Sequence, residues 1–140
     1  MKENHYDNET FFEAYSRFPR SVEGLRAAGE WHELKKLLPD FTDKRVLDLG
    51  CGFGWHCRYA AEQGARSVLG TDLSEKMLER AREMTQDPRI TYRRAAMEDL
   101  EGEAGSFDVA LSSLALHYVD DLRPVFQKVH GLLVPGGVFV

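Results

Sequence analysis

"RVLDLGCGFGWH", residues Arg45 to His56, runs an apolar segment into three glycines at alternate positions (Gly50, Gly52, Gly54) and then resumes as Trp55-His56. Val46-Leu47-Asp48-Leu49 predicts a central β-strand, and Gly50 to Gly54 a tight turn into a helix. Glycines spaced this way strip side chains from one face of the turn, so something must approach the backbone there. In open α/β sheets, ligands bind outside the carboxyl ends of strands, where such turns sit.

Outward from this stretch the same alternation continues. Short β-type runs (SVLGTD, ITYR, FDVALSS, GVFV) follow or precede amphipathic ones (WHCRYAAEQ, SEKMLERAREM, DLRPVFQKVHGLL). That pattern predicts a parallel sheet covered by helices. Ser74 stands as an N-cap before a stripe of Met77, Leu78, Ala81 and Met84, and Pro88 lies just past its end. The last helix carries Leu122, Val125, Phe126, Val129, Leu132 and Leu133 on one face, tolerates Pro124 in its first turn, and stops at Pro135-Gly136-Gly137. Upstream, Asn8 to Arg17 and Glu30 to Leu38 have helical spacing, the second with Trp31, Leu34, Leu37 and Leu38 on one face, ended by Pro39. The chain therefore divides into a helical extension, residues 1–40, and an α/β unit, 41–140, within one domain.

Composition narrows the function. With 140 residues, a net charge of -5, 43% hydrophobic and 29% charged residues, the chain has the make-up of a soluble domain. A pI near 5.5 argues against a nucleic-acid or anionic-membrane surface. No apolar run approaches the about 20 residues of a membrane helix. The polar start MKENHYDNET lacks the apolar core of a signal peptide. Cys51 and Cys57 are the two cysteines, without a zinc-type spacing, so a reducing cytoplasm is expected and no metal.

The turn itself discriminates between cofactors. A dinucleotide fingerprint would place its third glycine at position 55, which is Trp55, and no Walker-type GxxxxGK[ST] occurs. Asp72 closes SVLGTD eighteen residues after Gly54. A carboxylate at the tip of the second strand can accept both hydroxyl hydrogens of a ribose. A ribose beside a glycine turn with no phosphate cradle suits a nucleoside whose other half is not phosphorylated.

From residue 45 onward the chain resembles the class I S-adenosylmethionine-dependent methyltransferases, through successive motifs in order. "VLDLGCGFG" matches the first motif and "GTDLSEKMLERA" the second-strand acidic motif with its helix. "AAMEDL" stands where adenine contacts are made, and "FDVALSSLALHYVDDL" and "LLVPGGVFV" match the fourth strand and the turn into the fifth. The resemblance implies a Rossmann-like, mostly parallel sheet of order 3-2-1-4-5 with helices on both faces and S-adenosyl-L-methionine as cofactor. It also implies site roles. Gly50, Cys51, Gly52 and Gly54 border the methionine portion, with Asp48 near its ammonium. Asp72 holds the ribose; Leu73, Met77, Met97 and Glu98 surround the adenine; Ser112 follows the fourth strand. Ala96 stands where many relatives carry an acid for the adenine amino group, so Glu98 or a backbone carbonyl serves instead.

On the acceptor side, His117, beside Tyr118, is the expected base, and Tyr15 with Arg20 and Ser21 belongs to a lid whose Arg20 meets the cofactor carboxylate. Methyl transfer from a sulfonium needs alignment more than covalent help, which fits the lack of a triad or metal cluster in the sequence. His130 is expected to be structural or exposed, Asp99 a solvated loop carboxylate and Cys51 a small filler, while His5 and His32 carry no usable context. Trp55 and Tyr59 suit packing as well as substrate contact. The acceptor is expected to be a small molecule. Members of this class usually continue past the fifth strand, so the chain is expected to be shortened, impaired in transfer, and prone to self-association through Val138 to Val140.

Overall fold

The computed structural model describes residues 7–17, 24–27, 29–113, 115–116 and 119–140. Helices α1 (Glu9–Ser16) and α2 (Trp31–Leu37) precede β1 (Arg45–Leu49), α3 (Trp55–Glu62), β2 (Ser67–Asp72) and α4 (Glu75–Glu83). Then come β3 (Ile90–Arg94), β4 (Phe107–Leu111), α5 (Leu122–Leu132) and β5 (Leu133–Phe139), with 3-10 turns at Gly24–Ala27 and Met97–Asp99. The five strands form one parallel sheet in the order β3-β2-β1-β4-β5, as the sequence predicts.

β1 is central because its side chains are apolar on both faces. Val46, Leu47 and Leu49 are fully buried, which an all-parallel sheet covered on both sides requires. Val46 joins Cys57, Ala60 and Ala61 of α3 and Leu78 of α4 in the core on one face. Leu47 and Leu49 face the other way, onto Val125, Val129 and Leu132 of α5. Period-2 alternation along β1 thus assigns helices to both faces.

The helix signals hold where they rest on caps. Ser74 Oγ accepts from Met77 N at 3.2 Å, and Asp121 caps α5 by accepting from Arg123 N. They are less exact where they rest on apolar periodicity alone. Leu37, placed by its spacing on the inner face of α2, is 68% exposed, and Phe126 of α5 is 46% exposed. The end of α5 also differs from the expectation. Leu133 is the first residue of β5 rather than the last of the helix. The proline-glycine segment lies within the strand's span as an irregularity, because the register jumps from Phe107↔Leu133 to Val109↔Val138. Gly136 takes φ +83°, which helps the chain turn out of the ladder and return. No helix among the described residues is long and apolar enough to cross a membrane.

Candidate functional site

The sheet order reverses direction at β1, where β2 follows on one side and β4 on the other. A crevice at such a switch point is the standard place for a ligand in an open α/β sheet. The glycine turn lies at its mouth. Gly50, Gly52 and Gly54 take φ of +70°, +55° and +80°, conformations that residues with a Cβ adopt only under strain.

What approaches each glycine differs. A Cβ at Gly50 would sit 2.4 Å from that of Ala115 and 2.9 Å from Met97 Cε; one at Gly54 would collide with Tyr92 Oη at 2.3 Å. Both are therefore demanded by the protein's own packing. At Gly52 the nearest atom is Met77 Cε at 3.1 Å, the mobile end of a side chain. At Gly52 only this flexible tip stands within 4 Å of the added atom.

Asp72 ties the two strand tips together. Its Oδ2 accepts from Gly52 N and its Oδ1 from Ser74 N, both at 2.9 Å. The residue is half-buried, and the Leu73 N–H bears on the same carboxylate. Burial pushes the Asp72 carboxyl up from its ordinary range; the N–H groups of Ser74 and Gly52 pull it back, and nearby Asp7 raises it again. One turn of chain away, Leu73 and Met97 are half-buried, Met77 is buried, and Glu98 is half-exposed within the 3-10 turn after Ala96.

Asp48 faces inward. It is 1% exposed, and its Oδ2 accepts from Cys57 Sγ at 3.3 Å. Burial raises its pKa to about 7, against the lowering effect of the Cys57 thiol, with the charge of Asp72 adding to the rise. Ser112 is committed to the backbone: its Oγ donates to the Leu49 carbonyl at 2.9 Å, bracing the last residue of β1 at the switch point. Cys51 is 7% exposed within the turn. Trp55 and Tyr59 pack: Arg58 lies over the Trp55 ring at 4.6 Å, and Tyr59 meets Trp31 edge-on at 4.7 Å. His117, Tyr118, Arg20, Ser21 and the side chain of Tyr15 lie outside the described residues.

The N-terminal segment reaches the site through a residue that sequence reading passed over. Asp7 Oδ1 accepts from Ser74 Oγ at 2.5 Å and from Lys76 N at 3.1 Å, capping the start of α4 beside Asp72. Nothing in MKENHYDNET distinguishes this aspartate from its neighbours. Phe12 of α1 rests edge-on against Phe53 of the glycine turn, 6.1 Å between ring centres. Among the described residues, no cluster of three His, Cys, Asp or Glu side chains is arranged for a metal.

These features define a Rossmann-like fold with a glycine turn at its switch point, and comparison with known proteins agrees. A family model described as a methyltransferase domain matches residues 47–140, and the chain belongs to that family. A solved S-adenosylmethionine-dependent methyltransferase from Mesorhizobium loti superposes with a TM-score of 0.80 at 55% identity, covering 83% of this chain and 54% of that one. A malonyl-acyl-carrier-protein O-methyltransferase of Pectobacterium atrosepticum is 32% identical over 142 residues, 99% of this chain and 54% of its own. A phosphoethanolamine N-methyltransferase of Haemonchus contortus, solved with phosphoethanolamine and S-adenosylhomocysteine, aligns at 26% identity and a TM-score of 0.75, covering 93% of this chain and 30% of that one. The chain spans about half the length of the curated relatives it matches.

Proposed function

We propose that the chain binds S-adenosyl-L-methionine across the β1–β4 switch point and serves transfer of its methyl group to a small-molecule acceptor. The observation that carries this reading is the Asp72 carboxyl. From the end of β2 it holds Gly52 N at 2.9 Å, beside the turn whose three glycines take positive φ. When bound, this cofactor supplies an electrophilic methyl on a sulfonium.

The residues divide the work of binding and alignment. Asp72 accepts from the ribose hydroxyls while it holds the turn. Leu73, Met77 and Met97 enclose the adenine, with Glu98 at its edge. Gly50, Cys51, Gly52 and Gly54 present backbone to the methionine portion, and Asp48 contributes negative charge from behind the turn. Its contact with the ammonium is indirect, because its carboxyl is buried against Cys57. Ser112 fixes the strand end. On the acceptor side we keep His117 as the base where the acceptor carries a proton, and Tyr15 and Arg20 on the lid. The α1 contacts through Phe12 support a lid over the turn. Free thiols at Cys51 and Cys57 suit a reducing cytoplasm.

Relatives named for malonyl-acyl-carrier-protein and phosphoethanolamine methylation make a malonyl thioester and phosphoethanolamine the first acceptors to try. Titration calorimetry with S-adenosylmethionine, S-adenosylhomocysteine and NAD tests the cofactor. Binding of the first two and not NAD is expected, and a preference for NAD overturns the reading. Binding without turnover of any acceptor would favour a cofactor-binding module instead. We also propose that β5, outermost in the sheet, is where copies of the chain meet.

A further inference from the structure

We propose that Cys51 and Cys57 form a reversible disulfide within the folded chain, and that this cross-link distorts the glycine turn and shuts the nucleoside site. The two cysteines flank the segment Gly52 to His56. Both sulfurs converge on one space: each lies 2.9 Å from where a Cβ on Gly70 of β2 would stand. The missing side chain at Gly70 is what lets them share that space. Cys57 donates to Asp48 Oδ2 at 3.3 Å, and Cys51 Sγ donates to the Gly52 carbonyl at 3.8 Å. Both thiols are held above their ordinary pKa, with burial among the causes, so the step draws on the Asp48 carboxylate beside Cys57 as its base and on the convergence of the two sulfurs.

The oxidant is a hydroperoxide, of which hydrogen peroxide is the simplest. Cys51, at 7% exposure the more accessible of the two, attacks the peroxide oxygen. An S–O bond forms, the O–O bond breaks, and water leaves, giving a sulfenic acid. Cys57, fully buried, then attacks the Cys51 sulfur. The S–S bond forms, the S–O bond breaks, and the Cys57 proton passes through Asp48 to the departing oxygen as a second water. Two thiols are oxidised and one peroxide reduced. Return to the dithiol takes a thiol reductant by exchange.

The turn has little slack to absorb the cross-link. Cys51 N donates to the Thr71 carbonyl and Gly54 N to the Cys51 carbonyl, both at 2.9 Å. Gly52 N is held by Asp72. Drawing the sulfurs to a covalent bond of about 2.05 Å moves Cys51, which takes part in two of these three hydrogen bonds. The consequence for the cofactor rests on the function proposed above; formation of the disulfide does not.

The full chain is treated with hydrogen peroxide, free thiols are blocked with iodoacetamide, and non-reduced peptides are mapped by mass spectrometry. S-adenosylhomocysteine affinity is measured before treatment, after it, and after dithiothreitol. A Cys51–Cys57 peptide lighter by two hydrogens is expected, with a loss of affinity of at least about tenfold, the scale of a sub-ångström to ångström misplacement, restored by dithiothreitol. Cys57→Ser should bind in the reduced state and resist peroxide. Reversal by dithiothreitol in the wild-type chain keeps the test valid if that variant does not fold. Over-oxidised Cys51 with Cys57 still alkylatable, or a cross-linked chain of unchanged affinity, overturns the proposal. If the reduced chain binds no S-adenosylhomocysteine, the functional reading fails by itself. The peptide map and amide exchange at Gly50 to Gly54 then decide the disulfide.

Discussion

β1 and β5 are both parallel strands of one sheet, yet they are held in different ways. β1 pairs with β2 without interruption from Arg45↔Ser67 to Leu49↔Thr71, and its far end is tied by Asp72 and Ser112 into the glycine turn. β5 meets β4 on either side of an irregularity, with Val138 39% exposed at the outer edge. A one-residue slip in β1 would exchange its two buried faces and displace the turn. At β5 the ladder already tolerates extra residues. The binding pole is therefore the over-determined part of the sheet, and the outer edge the permissive one.

Two glycines test that contrast most strongly. Gly54 and Gly136 share a left-handed backbone, φ +80° and +83°, but a Cβ at Gly54 meets Tyr92 and Arg58 whereas one at Gly136 meets nothing within 4 Å. Gly136→Ala should cost about 1–2 kcal/mol, the strain of a Cβ in that conformation. Gly54→Ala should cost roughly 3–5 kcal/mol, because overpacking adds to the strain. Urea melts measure both, and equal costs would show that β1's end is no more constrained than β5's.

Asp72→Ala comes next. It removes a charge-assisted acceptor from a proposed ribose contact, worth roughly 1.5–3 kcal/mol of S-adenosylmethionine affinity. It also frees Gly52 N, so some loss of stability accompanies it. Unchanged calorimetric affinity in a folded variant would remove Asp72 from the site.

The pH dependence is a smaller effect of the same pole. Asp48 titrates near 7 in the fold, above its ordinary 3.8, because burial disfavours its charge. The folded chain then holds a proton that the unfolded chain has released. Stability from this group is complete below pH 3.8 and is lost as pH rises towards 7. Asp72 shifts in the same direction. Asp48→Asn should flatten the fall between those limits in melts taken across pH; an unaltered slope would place the proton elsewhere. Because a cationic ligand favours ionised Asp48, wild-type cofactor affinity should rise through the same window.

Much of this was legible in the sequence, for identifiable reasons. A parallel sheet and the Ser74 cap follow from short-range chemistry, alternation in β1 and Ser74 before Met77, whereas the strand order came from the resemblance to the methyltransferase class. The place of Asp72 at the end of β2 was legible because the β-type run SVLGTD closes on it. What was hidden depends on tertiary neighbours. That a Cβ at Gly50 would meet Ala115 and one at Gly54 would meet Tyr92 cannot be read from GxGxG. Asp7 reaches α4 across 67 residues of chain, and Gly70 opens the space where Cys51 and Cys57 meet. Leu37 misled because apolar spacing marks a face and not what covers it.

The smallest effect lies at the permissive edge. Phe126 of α5 and Phe139 of β5 meet edge-on at 5.9 Å, with Phe126 46% and Val138 39% exposed beside them. A lysine on this outer strand is the usual device against edge-to-edge pairing. Val138→Lys should alter folding stability by no more than about 0.5 kcal/mol, as an exposed position away from caps and core. Its register partner Val109 is 2% exposed, so the same change there would bury a charge and unfold the chain. If copies meet at β5, sedimentation at high concentration should show wild-type association that Val138→Lys reduces while cofactor affinity stays the same. A wild-type chain that sediments as a monomer throughout, or a Val138→Lys chain that associates equally well, would mean that the irregular ladder of β5 protects its own edge. The contrast with β1 would then be one of rigidity alone.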